Sequence, residues 1–181
     1  GKATVDNYEF MSECGLILLG NILLNQQGRP IEQNYFDKLP EIFHESALLD
    51  RFHGFIEGWL MPRINSDMVL RDWTLNVEFF SEILHQLRTE SVYNHIVNEL
   101  LVIPEKADER HKKAIIRMTT AYFKLLFPHI TSVEDVNLED FDTYCLQPAI
   151  RRRDIVRQQC YNINPEPSYA KPIPNITVKG L

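Results

Sequence analysis

The chain has 181 residues, of which 44% are hydrophobic and 24% are charged, and its formal net charge is −6. This composition is typical of a globular protein, and no apolar run reaches the roughly 18 residues of a membrane span. The acidic balance argues against a broad surface for nucleic acid. The three cysteines and six histidines show no metal-ligand spacing, so we expect reduced thiols and no metal site. The sequence begins on Gly1 without an apolar leader, and we expect a cytoplasmic piece of a longer protein.

The first predicted element in the chain is a strand. Residues 15–19 are rich in Leu and Ile and lack a helical period, which favours a strand buried on both faces. Asn21 follows this run, so it either opens a turn or reaches something beyond the strand tip. Residues 35–52 are predicted to form short helical turns, and residues 53–61 a short strand or extended segment.

The rest of the chain is predicted to be helical up to a proline-rich tail. Apolar residues recur at three- and four-residue steps over 68–88, which indicates an amphipathic helix. Further helical stretches are predicted over about 92–103, 106–127, 132–146 and 148–160, the last opened by a proline. We therefore expect a strand-containing front over 1–65, a helical region over 66–160 and an extended tail over 161–181.

Arg51 is the first candidate functional residue. It follows Leu-Leu-Asp and precedes Phe52, so an apolar framework would hold its guanidinium at a turn. Such an arginine can form a surface ion pair with Asp50 or Glu57. It can also enter the nucleotide site of a neighbouring subunit as an arginine finger.

A second candidate is the arginine run 151–153, which is predicted to lie in the first turn of the last helix. Positive charge there opposes the helix dipole unless an anion lies nearby. One alternative is a solvated basic face paired with Asp154 and Glu139. Another is a nucleic-acid module built on residues 151–157.

The order of these features resembles the second half of an AAA+ ATPase module. The resemblance is closer to the Lon-like ATPases of bacteriophage-exclusion (BREX) systems, which are often labelled ATP-dependent Lon proteases. It rests on Gly-Asn-Ile at 20–22, LLDRFHGFIEGWLMPRI at 48–64, FFSEILHQLR at 79–88 and AIRRRDIVRQQ at 149–159. It covers roughly residues 1–160.

This resemblance implies a mostly α fold with a small β component. That fold is the C-terminal part of an AAA+ α/β module, with one or two short buried strands, followed by a helical lid. It implies that Asn21 is sensor 1, which orients the attacking water, and that Arg51 is an arginine finger acting in trans. Arg151 would be sensor 2, with Arg152 beside it in the cofactor-binding region. ATP and Mg are the implied cofactors of the longer protein, which would form a ring.

The 181 residues also depart from the family pattern, because they contain no Walker A loop, no Walker B acidic pair and no Ser–Lys peptidase dyad. We therefore expect this chain alone to be inactive, to bind no cofactor and to pair with itself through exposed sheet edges. The longer protein would couple ATP hydrolysis to moving DNA or protein in phage defence. We expect it to have no membrane partner. The alternative is a non-enzymatic helical interaction domain whose apolar helix 68–88 docks a partner.

Overall fold

The computed structural model describes residues 2–5, 8–11, 15–36 and 39–181. Its first two elements are the antiparallel strands β1 (Lys2–Val5) and β2 (Tyr8–Met11), which pair from Lys2–Met11 to Val5–Tyr8. A short helix α1 (Ser46–Leu49) follows a 3-10 turn at Glu41–His44. This first part of the described chain contains little strand, and most of the later elements are helices.

The helical back of the protein contains α2 (Val77–Thr89), α3 (Val92–Leu100) and α4 (Glu109–Leu126). Asn76 caps α2, because its side chain accepts a hydrogen bond from the backbone N–H of Phe79. Asp108 caps α4 in the same way. Helices α3 and α4 confirm the helical stretches predicted for these regions.

The last long helical element is continuous over three segments. Helix α5 (Leu138–Phe141) passes directly into a π-helical turn at Asp142–Leu146 and then into α6 (Gln147–Ile163). Three-residue 3-10 turns occur at Gly58–Leu60, Ser66–Met68 and Val133–Asp135. Pro148 lies in the first turn of α6, as predicted, and α6 begins one residue earlier, at Gln147. The helix is not separate, however, because it continues the π-helical turn without a break.

Two apolar clusters hold these elements together. The larger one joins α3, α4 and the α5–α6 segment, and it includes Ile115, Phe123 and Leu146. The smaller one joins α1 to α6 and α7 (Pro167–Ala170), with Leu49, Val156 and Cys160 at its centre. This smaller cluster lies directly beneath the segment that carries Arg51.

The predicted buried strand at residues 15–19 is wrong. These residues form no strand, and their side chains are exposed. A strand buried on both faces needs neighbouring strands to satisfy its backbone groups. Among the residues that the structure describes, no strand pairs with this run.

The amphipathic helix predicted over 68–88 begins later than expected, at Val77. Residues 70–76 are not helical, and Trp73 is 98% exposed. Helical stability comes mostly from packing an apolar face, and this segment packs against nothing in the described part of the chain. Asn76 then provides a cap at which the helix can start.

The proline-rich tail packs on the body and does not form an extended arm. Beyond α7, strand β4 (Thr177–Val178) pairs antiparallel with β3 (Leu101–Val102), and Lys179 donates a backbone hydrogen bond to Leu100. Ile176 is buried in the larger cluster. The prolines interrupt helix and strand, but the apolar residues between them still find buried positions.

The overall class, mostly α with a small β component, is confirmed. Within the described ranges, no helix combines the length and the apolar character required to cross a membrane.

Candidate functional site

The segment that carries Arg51 follows α1, and its residues differ in burial. Leu49 and Asp50 are buried, and Arg51 itself is exposed. The Arg51 guanidinium donates a 2.7 Å hydrogen bond from Nη1 to the backbone oxygen of Ala47, one turn back. The ion pairs predicted as an alternative are not formed, because Asp50 and Glu57 bind other arginines. Arg51 is thus a surface cation whose one hydrogen bond among the described residues goes to its own helix end.

Asp50 is held beneath the surface by Arg153 of α6. Arg153 has no exposed surface, and its Nη2 lies 2.5 Å from Asp50 Oδ1. Its Nη1 donates to the backbone oxygens of Asp50 at 2.9 Å and Phe52 at 2.7 Å. Arg110 of α4 donates to the second carboxylate oxygen of Asp50 at 2.5 Å. The result is a buried, hydrogen-bonded ion pair between the Arg51 segment and the last long helix.

His111 completes this network. Arg153 Nε donates to His111 Nδ1 at 2.9 Å. Because a guanidinium can only donate, Nδ1 must accept and the neutral ring must carry its proton on Nε2. Burial, followed by the Arg153 charge, lowers the pKa of His111, while the charges of Asp108 and Asp50 act in the opposite direction. The histidine therefore contributes as a neutral acceptor.

The segment after Arg51 lies directly on α4 and α6. The backbone N–H of Phe55 donates to the carbonyl of Arg152 at 3.2 Å. A β-carbon at Gly54 would lie 2.6 Å from the Met118 sulfur and 3.0 Å from the β-carbon of Arg152. Only glycine allows so close an approach, which explains this residue in the Arg-Phe-His-Gly motif.

Arg151 and Arg152 line an open groove of about 640 Å³, whose other lining residues are Ile56, Glu57, Leu60, Met61, Thr143, Gln147 and Pro148. The Arg151 side chain is 62% exposed and pairs with Glu57. Arg152 donates to the hydroxyl of Tyr122 and, at 3.4 Å, to the carbonyl of Phe55. An exposed guanidinium at a groove with one exchangeable carboxylate partner fits a phosphate group. Arg152, which is tied to the fold, has less freedom to bind one.

Residues 151–153 were predicted to lie in the first turn of a helix, but the continuous helical structure that contains them begins earlier, at Leu138. Residues 151–153 lie inside a continuous helix, away from its positive end, so no bound anion is needed to offset the dipole. The arginines of 151–157 do not form one continuous solvated face, whereas the pairing with Asp154 is present and nucleic-acid binding by this stretch stays a prediction. Arg153 is fully buried, and Arg157 binds Asp154 and the carbonyl of Tyr169 with little exposure.

Asn21 is exposed and follows the exposed apolar run. Within the described residues its side chain makes no hydrogen bond to Arg51 or Arg151. Across the same residues, no group of three or more His, Cys, Asp or Glu side chains could hold a metal ion.

Sequence reasoning missed Arg153, the most constrained polar residue of the site. A signal was present, because Arg153 shares the helix face of Ala149, Val156 and Cys160, which are all buried. An arginine on an apolar stripe requires a buried acidic partner. Asp50, next to the buried Leu49, was such a residue, but the sequence did not connect two positions more than 100 residues apart.

The fold and this site define a helical domain that presents a surface arginine on a segment anchored to its last long helix. Comparison with known proteins gives the class more closely. The family described as "Lon-like protease BrxL-like, ATPase domain" matches residues 1–171. The chain therefore belongs to this BrxL-like family of Lon-like ATPases, which confirms the resemblance seen in its motifs.

Two relatives lie in the same family. The chain is 22% identical over 148 residues to the Lon-like protease BrxL of Escherichia coli O9:H4 (strain HS), and these residues make up 81% of this chain and 20% of that protein. It is equally similar to the Lon-like protease BrxL of Bacillus cereus (strain H3081.97), where the match covers 21% of the relative. The chain thus spans about a fifth of the length of the curated relatives it matches.

Proposed function

We propose that this chain is the sensor, arginine-finger and lid portion of a Lon-like AAA+ ATPase. In this proposal Arg51 acts in trans on the nucleotide of a neighbouring subunit in a ring. Asn21 orients the attacking water, and Arg151 contacts the γ-phosphate within its own subunit. The longer protein couples ATP hydrolysis to moving DNA or protein, in the cytoplasm and in phage defence.

One observation carries the proposal: Arg51 is exposed while the residues on both sides of it are anchored. Asp50 and Phe52 are both bonded to the buried Arg153. A surface arginine without a binding role would not need neighbours held by a buried ion pair. An arginine that must contact a phosphate at a subunit boundary does need a fixed position, because misplacement by about 1 Å costs roughly a hundredfold in rate.

ATP supplies a phosphoryl group whose oxygens carry the charge that develops during transfer to water. A guanidinium at the position of Arg51 neutralises that charge through planar, two-pronged hydrogen bonds. The exposed Arg151 can exchange Glu57 for phosphate at the groove. The amide of Asn21 can bond water without adding a charge. No step in this scheme is assigned to a metal ligand among the described residues.

The test is Arg51→Ala in the full-length protein. ATP turnover should fall by about a thousandfold or more, and nucleotide affinity should be retained. Arg51→Lys should not restore turnover, because an ammonium cannot make the two-pronged contact. Arg88→Ala is the matched control, since Arg88 is also an exposed arginine at a helix end. Unchanged turnover in Arg51→Ala would refute the finger.

A second candidate function, a non-enzymatic interaction domain, is favoured by one observation. The segment 60–80 carries many exposed apolar side chains, including the nearly fully exposed Trp73. Large exposed apolar patches mark interaction surfaces. This reading predicts unchanged ATP turnover in Arg51→Ala and loss of assembly in Trp73→Ser, measured by analytical ultracentrifugation. The ATPase proposal predicts loss of turnover in Arg51→Ala whatever Trp73→Ser does.

A further inference from the structure

Arg153 has no part in the proposed chemistry, yet it is the most heavily bonded side chain near Arg51. It lies on α6, has no exposed surface and makes four hydrogen bonds. Three of them go to Asp50 and Phe52, the two residues that flank Arg51. The fourth goes to His111 on α4. A charged side chain is seldom buried so completely unless its partners are fixed in return.

The geometry of these bonds determines the direction in which the Arg51 side chain projects from the surface. A single nitrogen of Arg153, Nη1, holds the carbonyl of Asp50 at 2.9 Å and that of Phe52 at 2.7 Å. The orientations of the backbone before and after Arg51 are thereby set by one guanidinium. Within the described ranges the side chain of Arg51 bonds only to the nearby Ala47, so its direction follows from that backbone.

The guanidinium of Arg153 is itself held from two sides. His111 accepts from Nε at 2.9 Å, and the Asp50 carboxylate that receives Nη2 also receives Arg110 at 2.5 Å. Helices α4 and α6 thus both contribute to the position of the segment.

We propose that Arg153 is the positioning residue for Arg51, and that it ties the helix carrying Arg151 to the segment that presents Arg51. This inference rests on the proposed function. Arg153 has no exposed surface, so in this proposal it acts by orienting the segment that flanks Arg51.

The experiment is a double-mutant cycle in the full-length protein with Arg153→Met and Arg51→Ala. Arg153→Met should lower the maximal ATP turnover roughly tenfold to a hundredfold, with nucleotide affinity unchanged. The double variant should be no slower than Arg51→Ala alone, because Arg153 acts through Arg51. Arg153→Lys keeps the charge and should recover part of the turnover.

Arg157→Met is the matched control. Arg157 lies one turn further along α6 and is also largely buried, but its bonds go to Asp154 and Tyr169 and not to the Arg51 segment. It should lose stability and keep turnover when assayed at a temperature where it is folded. If Arg157→Met and Arg153→Met lose turnover equally, the effect is general destabilisation and the positioning role is refuted.

The remaining outcomes separate the two proposals. If Arg51→Ala keeps its turnover, the proposed function is refuted and the positioning role with it. If Arg51→Ala loses turnover while Arg153→Met is normal, or if the two losses multiply in the double variant, only the positioning role is refuted. Should Arg153→Met not fold, Asp50→Asn completes the same cycle, because it keeps the side-chain shape and removes the charge that Arg153 binds.

Discussion

Replacing Asp50 with alanine removes the counter-charge of a guanidinium that has no exposed surface. Asp50 is 6% exposed, and its carboxylate receives Arg153 on one oxygen and Arg110 on the other, both at 2.5 Å. Arg110 is half exposed and can turn to water. Arg153 cannot, so the variant leaves a buried positive charge without its anion.

Breaking a buried ion pair from one side costs about 3–5 kcal/mol. Arg153 would keep its bonds to the backbone carbonyls of Asp50 and Phe52, which places the expected loss near the lower end, at about 3 kcal/mol. That is a large part of a typical domain stability of about 5–15 kcal/mol. For a domain of this size it corresponds to a fall of the melting temperature by roughly 6–12 °C.

The assay is urea denaturation followed by circular dichroism, with equal slopes required before midpoints are compared. Glu57→Ala is the control, because Glu57 pairs with Arg151, whose side chain is 62% exposed. That exposed pair should contribute at most about 1 kcal/mol. If Asp50→Ala costs no more than Glu57→Ala, the Asp50–Arg153 pair is not an internal anchor and the reasoning about the Arg51 segment fails.

Three further predictions concern the same helices. Gly54→Ala should destabilise the protein by about 1–3 kcal/mol in denaturant titrations, because the new β-carbon would lie 2.6 Å from the Met118 sulfur. The free energy of unfolding should fall as the pH drops below the ordinary histidine pKa of 6.5, since burial lowers the pKa of His111 and of His53 and the unfolded chain binds the protons first. His111→Gln should flatten that dependence in part. Thr119→Val should leave the stability equal or raise it by up to about 1 kcal/mol in thermal melts, because the buried Thr119 hydroxyl has no partner among the described residues.

Each of these predictions has a result that contradicts it. A Gly54→Ala protein as stable as the parent would show that the segment is not pressed against α4. A pH profile unaltered by His111→Gln would mean that another group titrates. A clear loss of stability in Thr119→Val would reveal a partner for its hydroxyl.

The helices of the back half could be predicted from the sequence because their signals are local. The apolar residues of α3 and α4 recur at helical spacing and pack into one cluster, as the pattern indicates. The strand predicted at 15–19 was wrong because its signal was not of this local kind. An apolar run records a tendency to be buried, but pairing with other strands decides whether it becomes a strand.

The candidate site was predictable only in its exposed part. The sequence motif singles out Arg51 and the close-packed Gly54, and the structure shows why that glycine is needed. The partner that anchors the segment lies on α6, more than 100 residues away. The helix face that Arg153 shares with Ala149, Val156 and Cys160 separates it from the exposed Arg151, but that face does not identify Asp50 as its partner.

The roles proposed for Asn21 and Arg51 place them in different subunits of one nucleotide site. The most direct measurement is therefore ATP turnover of a mixture of full-length Asn21→Ala and Arg51→Ala proteins, each nearly inactive alone. If the ring mixes at random, about a quarter of the interfaces combine an intact Asn21 with an intact Arg51 from the next subunit, and turnover should reappear. A mixture no more active than its separate components would contradict a shared site.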